Sequence, residues 1–401
     1  FEMVKMSMAT FINAMTASDH TMYPVSSNVR RDLFNLAEVY FDAVFHPELK
    51  EQTFQREGWH WALERPEDPS SALQVKGIVY SEMKGVYSTP DGLLWRHCQH
   101  GLFPDTPLGR DSGGDPAAIP QLTYEQLLAF HRRFYHPSNA HFFLYGDIPT
   151  ADYLAFLDER LAGFERTAAA AACPRQRRWD KPRRAQLPYP VGAGESPAGK
   201  SYLAIAWALG EAADAEELTA WEVISSLLLG HEAAPLKKAI IDSKLGADLL
   251  PSGSYEIGPE RVFFVGLKGS EAERGEALLA LVRRTLAETA ERGITPERVD
   301  RALQQLAYRH LEIAPLFPLR VMESVNQAWL CGKEPTLLLQ MGEHLAACRR
   351  RYDADAAFFS RRIRTGLLEN AHRLELALVP DATMAAREEA AGGDITALRE
   401  I

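Results

Sequence analysis

Five consecutive alanines, an Arg/Pro segment "CPRQRRWDKPRR" (173–184) and the stretch "PVGAGESPAGK" (190–200) interrupt an otherwise patterned chain. Such a composition cannot sustain a core element, so residues 165–200 read as a linker. Its six basic side chains read as a solvated linker rather than an anion-binding patch. The break divides the 401 residues into two units, consistent with domains of roughly 150 residues each. Hydrophobic residues make up 46% and charged residues 24% of the chain, enough for full cores.

The two units share a grammar. In the first, "ATFINAMT" (9–16), a turn at "ASDH" and "TMYPVSS" (21–27) form a strand pair, followed by a helix at about 30–45. "FQREGWHWALE" (54–64) reads as extended, "LLWRHCQHGLF" (93–103) as a short helix, and "SGGDPAAIPQL" (112–122) as a turn-rich loop. "TYEQLLAFHRRFYH" (123–136) is an amphipathic helix with Thr123 as N-cap and Glu125 or Gln126 near the capping-box position. "NAHFFLYGDIPT" (139–150) closes the unit as a strand. In the second, "SYLAIAWAL" (201–209) and "RVFFVGLKGS" (261–270) are strands among long helices, and "NAHRLELALVPDAT" (370–383) is the closing strand. Like endings after Asn-Ala-His suggest an internal duplication.

Charge and cysteines exclude several classes. A net charge of −10 is not that of a nucleic-acid binder, and no apolar run reaches membrane-spanning length. Cys98, Cys173, Cys331 and Cys348 are scattered without a CxxC pair, which fits a reducing compartment. "LLLGHEAAP" (227–235) misses the zincin H-E-x-x-H because Pro235 stands where the second His is needed. His97 and His100 lie three apart beside Cys98, a spacing that can grip zinc, without an obvious third ligand.

Glu82, in "KGIVYSEMKGVYSTPD" (76–91), is the most informative position. Wound as a helix over 71–88, with Ser70 or Ser71 as N-cap, the segment puts Val75, Val79 and Val86 on one face with Glu82 among them. A carboxylate on a buried apolar face needs a cation, either an Arg or Lys or a metal ion, and the residues alone leave both open.

Several stretches together resemble the pitrilysin/insulinase superfamily of zinc metallopeptidases, in its presequence-protease branch. They are "TFINAMTASDHTMYPVSS" (10–27), "YFDAVFHPEL" (40–49), "FQREGWHWALE", "KGIVYSEMKGVYSTPD", "LFPDTPLGRDSGGDP" (102–116) and "FHRRFYHPSNAHFFLYGD" (130–147). "LLLGHEAAPLKKAIIDSKLG" (227–246) and "FFVGLKGS" (263–270) extend the likeness more diffusely. The resemblance implies an α+β fold of two homologous-looking domains, each an antiparallel-dominated sheet covered by helices. Residues 1–164 would be a catalytic-type domain truncated at its start, 201–385 a chamber-forming domain, and 386–401 the start of a connecting segment. It implies a Zn2+ ion held by two His of an H-x-x-E-H helix and a later Glu, which maps onto Glu82; Ser81 replaces the family's Asn. No H-x-x-E-H occurs in the chain, so no catalytic residue is assigned within it and the general base is expected upstream of Phe1.

The resemblance also implies that "TFINAMT" is an edge strand to which a peptide substrate adds, with Asn13 and the backbone of Ala14 near the scissile bond. The expected function is part of a zinc-dependent endopeptidase for unfolded peptides, completed by a missing C-terminal half of the same polypeptide. The alternative is a non-catalytic scaffold or chamber subunit of the same fold. No nucleic-acid or membrane partner is expected. The expected location is a bacterial-type cytoplasm, or an organelle matrix if the source is eukaryotic.

Overall fold

The computed structural model describes residues 6–86, 89–169, 172–192 and 194–384. The expected connecting segment 386–401 lies outside the described residues. In chain order the strands begin with β1 (Ala9–Ile12), β2 (Met15–Thr16), β3 (Thr21–Met22) and β4 (Val25–Ser27). Then come α1 (Arg30–Phe45), β5 (His60–Leu63), β6 (Leu73–Lys76), α2 (Ile78–Val86), α3 (Pro90–Leu102), α4 (Tyr124–Phe134) and α5 (Thr150–Leu161). Next are β7 (Arg183–Pro190), β8 (Ser201–Glu211), α6 (Ala215–Leu229), α7 (Pro235–Ser243), β9 (Asp248–Leu249), β10 (Gly253–Ile257) and β11 (Glu260–Ser270). The run closes with α8 (Gly275–Arg292), α9 (Pro296–Leu311), α10 (Phe317–Leu330), α11 (Met341–Ala354), α12 (Phe358–Ile363) and β12 (Arg373–Asp381). Two compact units result: residues 1–85, 112–172 and 318–322, and residues 86–111, 173–317 and 323 onward.

The second unit is organised by β8, "SYLAIAWALGE", which lies between β11 and β12 in the order β10-β11-β8-β12-β7. Period-2 alternation sends Leu203, Ile205 and Trp207 to one face and Ala204, Ala206 and Ala208 to the other. Both faces are covered, which explains the nearly unbroken apolar run. On the first face Trp207 meets Phe263 edge-on at 6.2 Å among side chains of α6, α7, α8 and α9, and its indole N–H donates to Leu367 O at 2.9 Å. On the second, Leu94, Cys98 and Leu102 of α3 pack over the three alanines. Small residues there let the helix approach closely. A Cβ on Gly101 would sit 2.5 Å from Leu374 Cδ2.

Residues 183–190, read from composition as linker, form the edge strand β7, which pairs in parallel with β12 along its length. Pro188 and Pro190 suit an edge, where their missing N–H groups leave no ladder bond unmade. The Arg/Pro segment before it is ordered by aromatic packing. Trp179 stacks on His372 at 4.0 Å, and the Arg183 guanidinium covers the Trp179 ring at 4.1 Å. His372 Nε2–H donates to Leu102 O at 2.8 Å.

Among the described residues the strands of the first unit form pairs: β1 with β4, β2 with β3, and β5 with β6. The capping box of α4 forms as read, with Gln126 N–H donating to Thr123 Oγ1 at 3.3 Å and Thr123 N–H to Gln126 Oε1 at 2.9 Å. Phe41, Phe45 and Phe164 cluster, and Arg160 Nε donates to Glu38 at 2.6 Å. Residues 140–148, expected as a strand, enter no ladder among the described residues, and Phe142, Leu144 and Tyr145 are exposed. An alternating pattern becomes a strand only when a neighbour takes its backbone hydrogen bonds. "FQREGWHWALE" divides, with a wide, π-helical turn at Phe54–Gly58 before β5.

Two outcomes follow from the second unit. Gly101→Val should force α3 away from β12 and cost about 1–3 kcal/mol, read as a lowered urea midpoint. Burial pushes the His372 imidazole down to about 4 from its usual 6.5, with Arg178 and Arg183 adding to the effect. Between those values the unfolded chain binds a proton that the folded chain refuses, so stability is complete above pH 6.5 and falls as pH drops toward 4. His372→Gln should remove that component, at most about 3 kcal/mol, flattening the pH dependence of the urea midpoint below pH 6.5.

Candidate functional site

The segment around Glu82 folds differently from the long helix expected. β6 pairs antiparallel with β5, from His60 opposite Lys76 to Leu63 opposite Leu73, and this takes Val75 into a strand. Ser70 and Ser71 therefore cap no helix. Ser71 Oγ donates to Arg65 O at 3.1 Å and Ser70 Oγ donates to Asp68 at 2.6 Å, both closing the β5–β6 hairpin. Gly77, with φ of 152°, makes the corner into α2, where a Cβ would lie 2.1 Å from Gly58 O.

Glu82 is exposed, which corrects the expectation that it is buried. So is the apolar face it shares: Ile78 is 57%, Val79 39% and Val86 50% exposed. The helix is amphipathic as its sequence demands, yet within its own unit nothing covers the apolar side. Glu82 forms no ion pair among the described residues. Of the two cations the sequence left open, an Arg or Lys does not meet it here. No group of three or more His, Cys, Asp or Glu is placed to hold a metal among the described residues. One exposed carboxylate does not by itself fit a zinc ion.

The other sequence candidates resolve as structural. His100 Nε2 lies 2.9 Å from Asp111 Oδ1, and Asp111 is also gripped by Arg96 through its Nε and Nη2. This network ties α3 to the loop that follows it. Burial, then the Arg96 charge, lowers the pKa of His97, and burial holds the Cys98 thiol protonated. Glu232 pairs with Lys237 at 2.6 Å, so "LLLGHEAAP" is a helix connection. In "SGGDP" Asp115 Oδ1 accepts from Ala117 N, a turn as read.

Asn13 and Ala14 stand exposed at the corner between β1 and β2. Asn13 N–H donates to Pro24 O at 3.2 Å, Tyr40 OH donates to Asn13 O at 3.3 Å, and Ala14 N–H donates to Asn13 Oδ1 at 2.8 Å. Tyr40 on α1 is a part of this corner that pattern reading misses. Its signal was Pro24, which has no N–H to offer a strand partner. Farther along the same ribbon, Tyr23 OH meets Tyr135 OH at 2.8 Å, Tyr135 stacks on His131 at 4.6 Å, and His131 Nε2–H donates to Val44 O at 2.9 Å. Glu82 and the Asn13 corner thus share one compact unit, both on its surface.

Comparison with known proteins finds relatives along nearly the whole chain. The family described as "Peptidase M16 inactive domain" matches residues 121–306. A mitochondrial presequence protease of Danio rerio is 35% identical over 384 residues, covering 95% of this chain and 38% of that protein. The chloroplastic/mitochondrial presequence protease 1 of Arabidopsis thaliana is 37% identical over 398 residues, covering 97% of this chain and 37% of that protein. The chain thus spans less than two fifths of the length of these curated relatives. Among solved structures, a peptidase M16 inactive domain from Pseudomonas fluorescens superposes with a TM-score of 0.68 at 17% identity, over 93% of this chain and 81% of that one. The α+β architecture is that of solved M16 peptidase domains, residues 121–306 match the M16 inactive-domain family, and the curated relatives of the chain are presequence proteases.

Proposed function

We propose that this chain is the part of a zinc-dependent endopeptidase that supplies one metal ligand and the peptide-binding edge, acting on unfolded peptides in an enclosed chamber. The observation that carries the reading is Glu82: a carboxylate on an exposed apolar helix face, unmet by any Arg or Lys among the described residues. Both the anion and the bare apolar side are explained if further polypeptide covers α2 and brings the remaining ligands. The relatives' greater length supports such a partner within the same protein. In this reading Glu82 is an anionic zinc ligand, the corner at Asn13 and Ala14 is where the substrate backbone pairs, and the general base comes from outside these residues. Residues up to about 164 would form the catalytic-type domain and residues 201–385 the chamber wall. The names of the relatives place those proteins in mitochondria or chloroplasts, and we carry an organelle matrix to this chain as part of the same proposal.

The test is made in the longer polypeptide that carries this chain. Glu82→Gln should lower zinc content and peptidase rate by more than the roughly 10–100-fold that outer-shell partners of a metal are worth. Unchanged zinc and rate would refute the ligand assignment and leave the scaffold reading. The 401-residue chain alone should cleave no peptide and bind zinc weakly. Stoichiometric zinc in a metal assay of that chain would overturn the proposed division of the site.

A further inference from the structure

The β1–β2 corner is organised around a donor that proline cannot supply. Asn13 directs its N–H at Pro24 O across the ribbon. Pro24 returns nothing, and the Tyr40 hydroxyl donates to Asn13 O in its place. Backbone direction alternates along an extended chain, so with the Asn13 N–H facing Pro24 the amides of Ile12 and Ala14 point away from it. The outward N–H of Ala14 is taken by Asn13 Oδ1 at 2.8 Å. Both residues are solvent-exposed, so water could satisfy that amide without penalty. The bond therefore adds no more than about 1 kcal/mol to folding stability. Its consequence falls on whatever else could claim the amide, namely an extended backbone pairing at the edge.

We propose that the Asn13 side chain is a displaceable cap on this edge. It holds the Ala14 N–H when no peptide is bound, and a carbonyl oxygen of an incoming extended peptide takes its place. This deepens the reading of β1–β2 as the peptide-binding edge and rests on it. The cap lies one residue from the donor it guards, so a peptide displaces it by side-chain rotation alone. The Tyr40 and Pro24 contacts keep the backbone beneath it fixed.

The test compares wild type, Asn13→Ala and Asn13→Asp in the longer polypeptide, reading Ala14 amide exchange and the KM for an unstructured synthetic peptide. Asn13→Ala should speed Ala14 exchange and lower KM, each by about two- to tenfold, the range of one net hydrogen bond. Asn13→Asp keeps an acceptor and should keep exchange slow. Unchanged exchange in Asn13→Ala overturns the cap, and faster exchange with an unchanged or raised KM overturns the competition. If peptide protects no amide from Thr10 to Thr16 in either protein, the edge reading fails and the displacement fails with it. The exchange difference between wild type and Asn13→Ala then still reports whether the cap exists.

Discussion

The second unit depends on one constraint: β8 is buried on both faces and must find every backbone partner sideways. β11 and β12 supply them antiparallel on its two sides. Once β8 is flanked, its side chains have only two directions to go. Large ones on one face build the core with α6 and α8, and alanines on the other admit α3 at close range. The long helices, the close approach at Gly101 and the burial of His372 against Leu102 all follow from that placement.

The first unit meets the same requirement with less. Its strands come as pairs, and where a partner is missing a side chain stands in. Tyr40 replaces the N–H that Pro24 lacks, and Asn13 Oδ1 takes the outward amide of Ala14. Local substitutes of this kind are weak, each worth about 1 kcal/mol net, so they can be exchanged for a better partner. In the proposed reading of this corner as a peptide-binding edge that property is required, because a ladder already complete has nothing to offer.

Legibility from sequence tracked how local the cause was. The Thr123–Gln126 capping box is a contact across three residues and was readable letter by letter. The apolar run of β8 was readable because burial on both faces leaves a compositional trace, and β12 because Leu374, Leu376 and Leu378 alternate onto one buried face. The Glu82 helix was misread because Ser70 and Ser71 look like an N-cap. Only the pairing of Leu73–Lys76 with His60–Leu63 shows that they close a hairpin. That pairing joins distant residues and left no mark on the local periodicity. Likewise the Arg/Pro segment carried no strand signal over 183–190 beyond prolines tolerable at an edge; β12 makes it a strand.

The two Asn-Ala-His stretches separate local from tertiary causes most sharply. Asn370 Nδ2 donates to Gly366 O at 3.0 Å, and Asn139 Nδ2 donates to Phe134 O at 2.9 Å. In both units the Asn thus caps a carbonyl at the end of the preceding helical segment and launches the chain onward. After Asn370 the chain finds β8 on one side and β7 on the other, and becomes β12. After Asn139 it enters no ladder among the described residues, and Phe142, Leu144 and Tyr145 stay exposed. The same local device precedes a sheet strand in one unit and an unpaired segment in the other. The difference lies in available neighbours, since "HFFLYGDI" has as strong a strand pattern as "HRLELALVP". Exposed Phe142, Leu144 and Tyr145, with the bare face of α2 beside Glu82, are then two aspects of one condition: apolar surface of the first unit that no element of that unit covers among the described residues.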